Sequence, residues 1–258
     1  MAGTTDALRR ATPAPTAGRQ NGARPRGMLI AGVATLAVFA LFAIHVAVDP
    51  EHPFTQGLDD AWRRLVGSDY GPETGAFPMF FQFLGEGPGA LLLLIVIPAL
   101  LFIVRRWRSA LFFISANAAT ILVSQLTKNL VHRPRPAIDV ENGLFGPLFS
   151  VDHGSFPSGH SVTAGFVIVG VAALFPAGKR LAWWIIAAVI GGGMIWQRTM
   201  INAHWLSDTA FGLAAGAATT LIVWWAFYLL LKKDYGKPLF GRKIETDAAQ
   251  ASALGGNA

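Results

Sequence analysis

Between Met28 and Leu231 the chain is a succession of apolar runs, most about as long as a bilayer is thick. This decides the solvent before any motif is considered. A helix needs about 20 mostly apolar residues to cross the hydrocarbon core. Six candidate spans approach or exceed that length: about Met28 to Val48, Phe77 to Val104, Ser109 to Leu130, Pro157 to Phe175, Leu181 to Trp196 and Trp205 to Leu231. The second is interrupted by Gly-Glu-Gly-Pro-Gly from Gly85 to Gly89, which leaves Ala90 to Val104 as its fully apolar part. Of 258 residues, 53% are apolar and only 14% charged, against roughly 25% charged in soluble domains. The sequence thus predicts an all-α, polytopic membrane protein with six transmembrane helices over residues 28–231. Residues 1–27, rich in Ala, Pro, Thr, Gly and Arg, read as a disordered cytoplasmic tail. Residues 232–258 read as a cytoplasmic C-terminal tail. Arg9 and Arg10 stand too far before the first apolar run for a twin-arginine signal. Ala43 to Pro50 lacks a small-x-small cleavage site, so no cleaved leader is expected. No internal repeat is evident, and the absence of cysteine excludes disulfides and cysteine-ligated metals.

The cations test this topology. With the N-terminus inside, 15 of the 21 Lys and Arg fall on inner segments, and only Arg63, Arg64, Lys128, Arg133, Arg135 and Arg198 fall outside. That is a strong positive-inside bias, and shifting the span count by one scrambles it. The net charge of +6 is spread over the inner rims of a membrane protein, so the expected partner is the lipid bilayer and not nucleic acid. Four of the outer cations, Lys128, Arg133, Arg135 and Arg198, stand at or just beyond span ends. Solubility does not need them there; an anion does. Arg133 reads either as a phosphate or headgroup neighbour or as an interface anchor. In the outer segment Asp49 to Ala76, Phe54, Leu58, Ala61, Trp62 and Leu65 recur at helical spacing. They predict an amphipathic helix on the outer interface or a short helix capping the bundle.

Three stretches then meet at outer span ends: Lys128 with Arg135-Pro136, Pro157 to His160, and Arg198 with His204 and Asp208. Guanidinium forks match phosphate oxygens. The Pro-Ser-Gly-His stretch should start the fourth helix, with Pro157 in its first turn. Free amides there bind anions, Gly159 allows close approach, and Ser158 adds a hydroxyl. His204 and Asp208, four apart, share one helix face. A carboxylate accepting from Nδ1–H would leave Nε2 as nucleophile or base. His160 is a second imidazole, placed to protonate a leaving oxygen.

These residues, in this order, resemble the three-part signature of the type 2 phosphatidic acid phosphatase superfamily, over roughly Asp49 to Leu231. The membrane branch of that family has six spanning helices. The resemblance implies a metal-independent phosphohistidine mechanism with no cofactor. His204 attacks phosphorus, Asp208 orients it and His160 protonates the leaving group. Lys128, Arg135, Arg198, Ser158 and Gly159 hold the phosphoryl oxygens. Gln197 departs from the pattern, where serine or threonine commonly precedes the arginine; it would donate to phosphate or position Arg198.

A metal site drawn from His132, Asp152, His153, His160, His204 and Asp208 is the rival chemistry, disfavoured by the surrounding cations. His45 and His52 read as interface residues. Ser115, Asn117, Thr120, Ser124 and Gln125 read as interhelical hydrogen-bonding groups. The expected function is an integral-membrane lipid phosphatase of a bacterial cytoplasmic (inner) membrane, with both termini cytoplasmic and the site on the periplasmic or extracellular side. The first-choice substrate is a polyprenyl diphosphate such as undecaprenyl diphosphate, then phosphatidate or phosphatidylglycerol phosphate. The outer segment Ala137 to Phe156 should lie over the site. The alternatives are a lipid phosphotransferase and, outside enzymes, a transporter or lipid-binding membrane protein.

Overall fold

The computed structural model describes residues 23–67, 75–149, 154–235 and 237. Most of both expected tails lies outside these residues. The described residues form helices and no strand; a single bridge pairs Asp139 with Leu144. The helices are α1 (Arg26–Val48), α2 (Gln56–Val66), α3 (Ala76–Gly85), α4 (Gly87–Leu91), α5 (Ile97–Ile103), α6 (Trp107–Leu130), α7 (Gly159–Ala173), α8 (Leu181–Met200) and α9 (Leu206–Tyr235). A π turn, Leu92–Val96, carries α4 into α5.

Among the described residues α1, α6 and α9 are long and apolar enough to cross a membrane. A fourth span exists if α3 and the Gly87–Ile103 rod, bent by 46° at their junction, count as one. By length and composition alone, three or four of the expected six are therefore identified among the described residues. The fourth apolar run shows why. Pro157 precedes the helix, Ser158 caps it, and α7 is 15 residues, about 22 Å at 1.5 Å per residue. The bend has a local cause. Gly85 and Gly87 are weak helix formers, and Pro88 lacks an N–H and crowds the preceding turn.

The helix α7 lies at the centre, packed between α6 and α9 around Phe112, Phe113, Phe166, Trp224 and Leu231. Its crossing with α9 is set by small residues. A Cβ on Gly165 would collide with the Leu213 carbonyl, and one on Gly216 with that of Val162. Such backbone-to-backbone packing is the usual substitute for hydrophobic driving force between helices in lipid. On the flank, α1 closes the bundle with Phe42 stacked on Phe211 at 3.9 Å between centroids. At the end bearing Arg105 to Arg108, the buried Asp234 accepts from Arg108 Nη1 (3.2 Å), the Ser109 amide (3.1 Å) and the Ser109 hydroxyl (3.2 Å). The carboxylate thus serves the positive N-terminal end of α6.

The third-span expectations are partly corrected. Asn117, Thr120 and Ser124 are buried and Ser115 half-buried, but Gln125 is exposed. Thr120 Oγ1 donates to the Asn117 carbonyl of its own helix at 2.8 Å, satisfying itself without a neighbouring helix. At the opposite end, α2 caps the bundle with its polar side inward. Its Leu58 and Leu65, with Phe54 just before it, remain exposed.

Candidate active site

The close α7–α9 crossing brings the starts of both helices together: the Ser158 amide donates to the Asp208 carbonyl at 3.2 Å. Around this point stand the end of α6 with Lys128, the extended run after it with Arg135, and the end of α8 with Arg198. His204 occupies the short turn between α8 and α9. All eight residues expected from the sequence therefore lie at one end of the bundle.

Ser158 is the N-cap of α7. Its backbone is extended (φ −67°, ψ 113°), and its side chain accepts from the Ser161 amide at 3.5 Å. Pro157 sits before the cap and not in the first helical turn. The hydroxyl serves the helix start, whose first amides have no intrahelical partner. Gly159 leaves bare backbone beside Lys128: a Cβ there would lie 3.9 Å from the lysine Cε.

The tautomer of His204 follows from its neighbours. Nδ1 lies 2.7 Å from the Ser155 carbonyl oxygen, which can only accept, so Nδ1 carries the proton. Nε2 lies 3.3 Å from Arg135 Nη1, which can only donate, so Nε2 presents its lone pair. Burial first, then the charges of Arg198, Arg135 and Lys128, hold this imidazole well below its ordinary range, hence neutral at pH 7. The result is a neutral imidazole presenting a lone pair among cations. Arg135 also donates to the Ala203 carbonyl at 2.6 Å, and Lys128 Nζ reaches the Gly154 carbonyl at 3.4 Å. Arg198 is buried, and its Nε has no acceptor among the described residues.

Asp208 departs from the expected geometry. It stands 3.8 Å from His204 Nδ1 and does not take that proton; the Ser155 carbonyl does. Its oxygens accept from Arg133 Nη1 at 2.7 Å and from the Trp205 amide at 3.0 Å. At 3.8 Å it acts on the ring through space, favouring positive charge on it. Arg133 is neither a headgroup neighbour nor an interface anchor. It is fully buried and joins Asp208 to Asp59 of α2 (2.8 Å) while donating to Ser207 Oγ and Gln56 Oε1 (2.8 Å each). Trp62 adds a second tie from α2, to Thr199 Oγ1 at 2.9 Å. Arg63 adds a third, to Asn202 Oδ1 at 3.1 Å and the Phe145 carbonyl at 3.2 Å. The 137–149 stretch is thereby held across this end, and Leu148 donates to the Ile201 carbonyl at 3.1 Å. Residues 150–153 of the expected covering segment lie outside the described residues.

Gln82 and Glu86 were not expected. Gln82 is buried in the last turn of α3, and its Oε1 accepts from Arg198 Nη1 and, at 3.4 Å, from Gln197 Nε2. Gln197 therefore does not line the cation cluster; it shares an acceptor with Arg198. His160 Nε2 faces the Gln82 carbonyl at 3.3 Å. Gln82 just before the glycine-proline break and Glu86 within it, polar residues inside an apolar run, were the available signal. The ring of His160 lies flush on Gly85, where a Cβ would collide with it. Gly85→Ala should displace ring or helix and lower turnover on the order of 10²-fold. A rate within twofold of wild type in a detergent assay would refute this placement.

Among the described residues no three His, Asp or Glu cluster as metal ligands. Asp152 and His153 of the metal reading lie outside them. His45 is structural: its Nε2 accepts from the Phe54 amide at 3.0 Å.

Comparison with known proteins converges on the same segment. Residues 109–232 match the PAP2 superfamily. A lipid A 1-phosphatase of Rhizobium johnstonii is 37% identical over 119 residues, covering 45% of this chain and 46% of that protein. One of Rhizobium etli is 36% identical over 140 residues, covering 52% and 58%. The chain thus spans about half the length of the curated relatives it matches. Among solved structures, the transmembrane PAP2-type phosphatidylglycerolphosphate phosphatase of Bacillus subtilis superposes with a TM-score of 0.60 at 24% identity, covering 74% of this chain and 93% of that one. Aquifex aeolicus LpxE superposes with a TM-score of 0.53 at 24% identity, covering 64% and 94%. These likenesses establish the fold, and the matched segment contains Lys128, Arg135, Ser158 to His160, Arg198, His204 and Asp208. The match to the PAP2 superfamily thus covers residues 109–232, just under half of the chain.

Proposed function

We propose that this protein is a metal-independent lipid phosphatase working through a phosphohistidine on His204. The observation that carries this reading is the lone pair of His204 Nε2, set by the Ser155 carbonyl and aimed into a cluster of Lys128, Arg135 and Arg198. A phosphoryl group there meets two guanidinium forks, an ammonium and the start of α7. It also offers an acceptor to Arg198 Nε. A loose phosphoryl-transfer transition state is stabilised mainly by such positioning and charge. His204 Nε2 bonds to phosphorus as the bond to the lipid oxygen breaks, and His160 gives that oxygen a proton. Water then attacks the phosphohistidine, His160 takes its proton, and phosphate leaves. Asp208 favours the cationic ring of the intermediate.

The membrane reading extends the same proposal. The bent α3–α5 pair, α7 and α8 join α1, α6 and α9 as six spans of a bacterial cytoplasmic membrane. Both termini lie inside and the site opens outward. The lipid A 1-phosphatase relatives favour a phosphorylated glycolipid. A polyprenyl diphosphate such as undecaprenyl diphosphate, phosphatidate and phosphatidylglycerol phosphate share the same reacting group. A panel of these four on purified protein, with and without EDTA, tests the reading. One lipid phosphate should be turned over at least tenfold faster than the rest, unaffected by EDTA. Strict dependence on an added divalent ion would exclude the phosphohistidine scheme, and transfer to a non-water acceptor would make the protein a phosphotransferase.

A further inference from the structure

The break between α3 and α4 does more than bend a span. It ends α3 one turn after Gln82, where carbonyls lose their intrahelical partners, and the Gln82 carbonyl turns to His160 Nε2 at 3.3 Å. It also places Glu86 beside the same nitrogen, with Oε1 at 3.9 Å. The Glu86 carboxylate is held there by the Gln82 amide, whose own oxygen takes Arg198. Gly85, between them, lets the helix touch the ring. One short segment thus reaches both the imidazole and the cation cluster.

Protonating a leaving oxygen needs His160 with a proton on each ring nitrogen. The other titratable groups facing it are Arg198 from α8, Lys128 from α6 and His204 from the α8–α9 turn. Burial first, and then the two cations among them, oppose a further positive charge on this ring. Among the described residues Glu86 is the acidic group paired with this ring. We propose that Glu86 is a positioning residue that holds His160 in its doubly protonated form, with Gln82 fixing the ring so that Nδ1–H meets the leaving oxygen. This rests on the phosphatase reading. In the step itself the P–O bond breaks with its electron pair on the lipid oxygen, which takes the Nδ1 proton, while the N–P bond to His204 forms. Glu86 remains a carboxylate throughout. In the second step a water proton returns to Nδ1.

General acid help matters most for a poor leaving group. Full-length wild type, Glu86→Gln and Glu86→Asp should be compared in detergent micelles on phosphatidate, which releases an alkoxide, and on p-nitrophenyl phosphate, which releases a stable phenolate. Glu86→Gln should lower kcat on phosphatidate about ten- to a hundredfold, with KM little changed and a much smaller loss on the aryl ester. Glu86→Asp should recover most of the rate. Equal losses on both esters, an effect confined to KM, or no loss on phosphatidate would overturn the proposal. Failure of the underlying reading looks different: wild type releasing no phosphate from these esters or from any lipid of the four-lipid panel, or His204→Ala releasing it at the wild-type rate.

Discussion

His204→Ala should abolish phosphate release, with turnover falling by about four to six orders of magnitude. The expectation rests on the hydrogen-bonding roles at the ring, not on the presence of a histidine alone. The Ser155 carbonyl at 2.7 Å keeps the proton on Nδ1, and Arg135 at 3.3 Å faces the Nε2 lone pair. His160 does not replace it: its Nε2 donates to the Gln82 carbonyl, and with Nδ1 protonated as well, as proposed above, the ring has no lone pair to attack with. Alanine leaves Lys128, Arg135 and Arg198 in place, so lipid phosphate should still bind. A competition assay with a non-hydrolysable lipid phosphonate should give affinity within about tenfold of wild type. Residual turnover within a factor of ten would move the nucleophile elsewhere.

Arg133→Ala should be the most destabilising single change at this end of the bundle. The guanidinium is fully buried and pairs with two buried carboxylates, Asp59 at 2.8 Å and Asp208 at 2.7 Å. Ser207 completes the network, donating from its amide (2.8 Å) and hydroxyl (2.7 Å) to Asp59. Removing one partner of a buried pair leaves an uncompensated charge and costs about 3–5 kcal/mol. For a chain of this size that corresponds to a fall in Tm of about 10 °C. Lysine cannot bridge both carboxylates as a planar fork does, so Arg133→Lys should recover little. Arg133→Met combined with Asp59→Asn should recover part of the loss, because the unpaired charge on α2 is then gone. A Tm within 2 °C of wild type for Arg133→Ala would show that the network does not hold α2 to the bundle.

Much of the site was legible because its residues are expensive in an apolar chain. Lys128, Arg135, Arg198, His204 and Asp208 stand where lipid-facing helices should end, and a charge there needs a reason. The structure brings all of them to one end. Contact between particular atoms was not legible. The i, i+4 spacing puts His204 and Asp208 near each other, yet a backbone carbonyl 49 residues away takes the Nδ1 proton. Backbone acceptors leave no trace in side-chain spacing. Arg133 looked like one more outer cation, because burial depends on α2 folding back over it. Gln82 and Glu86 were hidden for a similar reason. The interruption at Gly85 to Gly89 read as a flaw in a span, and only the 46° bend shows which neighbours it serves.

The sequence alone determined the solvent, the helical class and the chemical identity of the cluster. Those follow from composition, run length and the residue types that phosphate requires, which are local properties of the chain. The tertiary structure decided which acceptor meets the Nδ1 proton of His204, how α2 is fastened, and that the broken helix sets a carboxylate 3.9 Å from His160. Those depend on distances between segments far apart in the chain, and here the distances are set by glycines at the α7–α9 crossing and at Gly85. A Cβ at Gly165 or Gly216 would push α7 and α9 apart, and one at Gly85 would displace the His160 ring or α3.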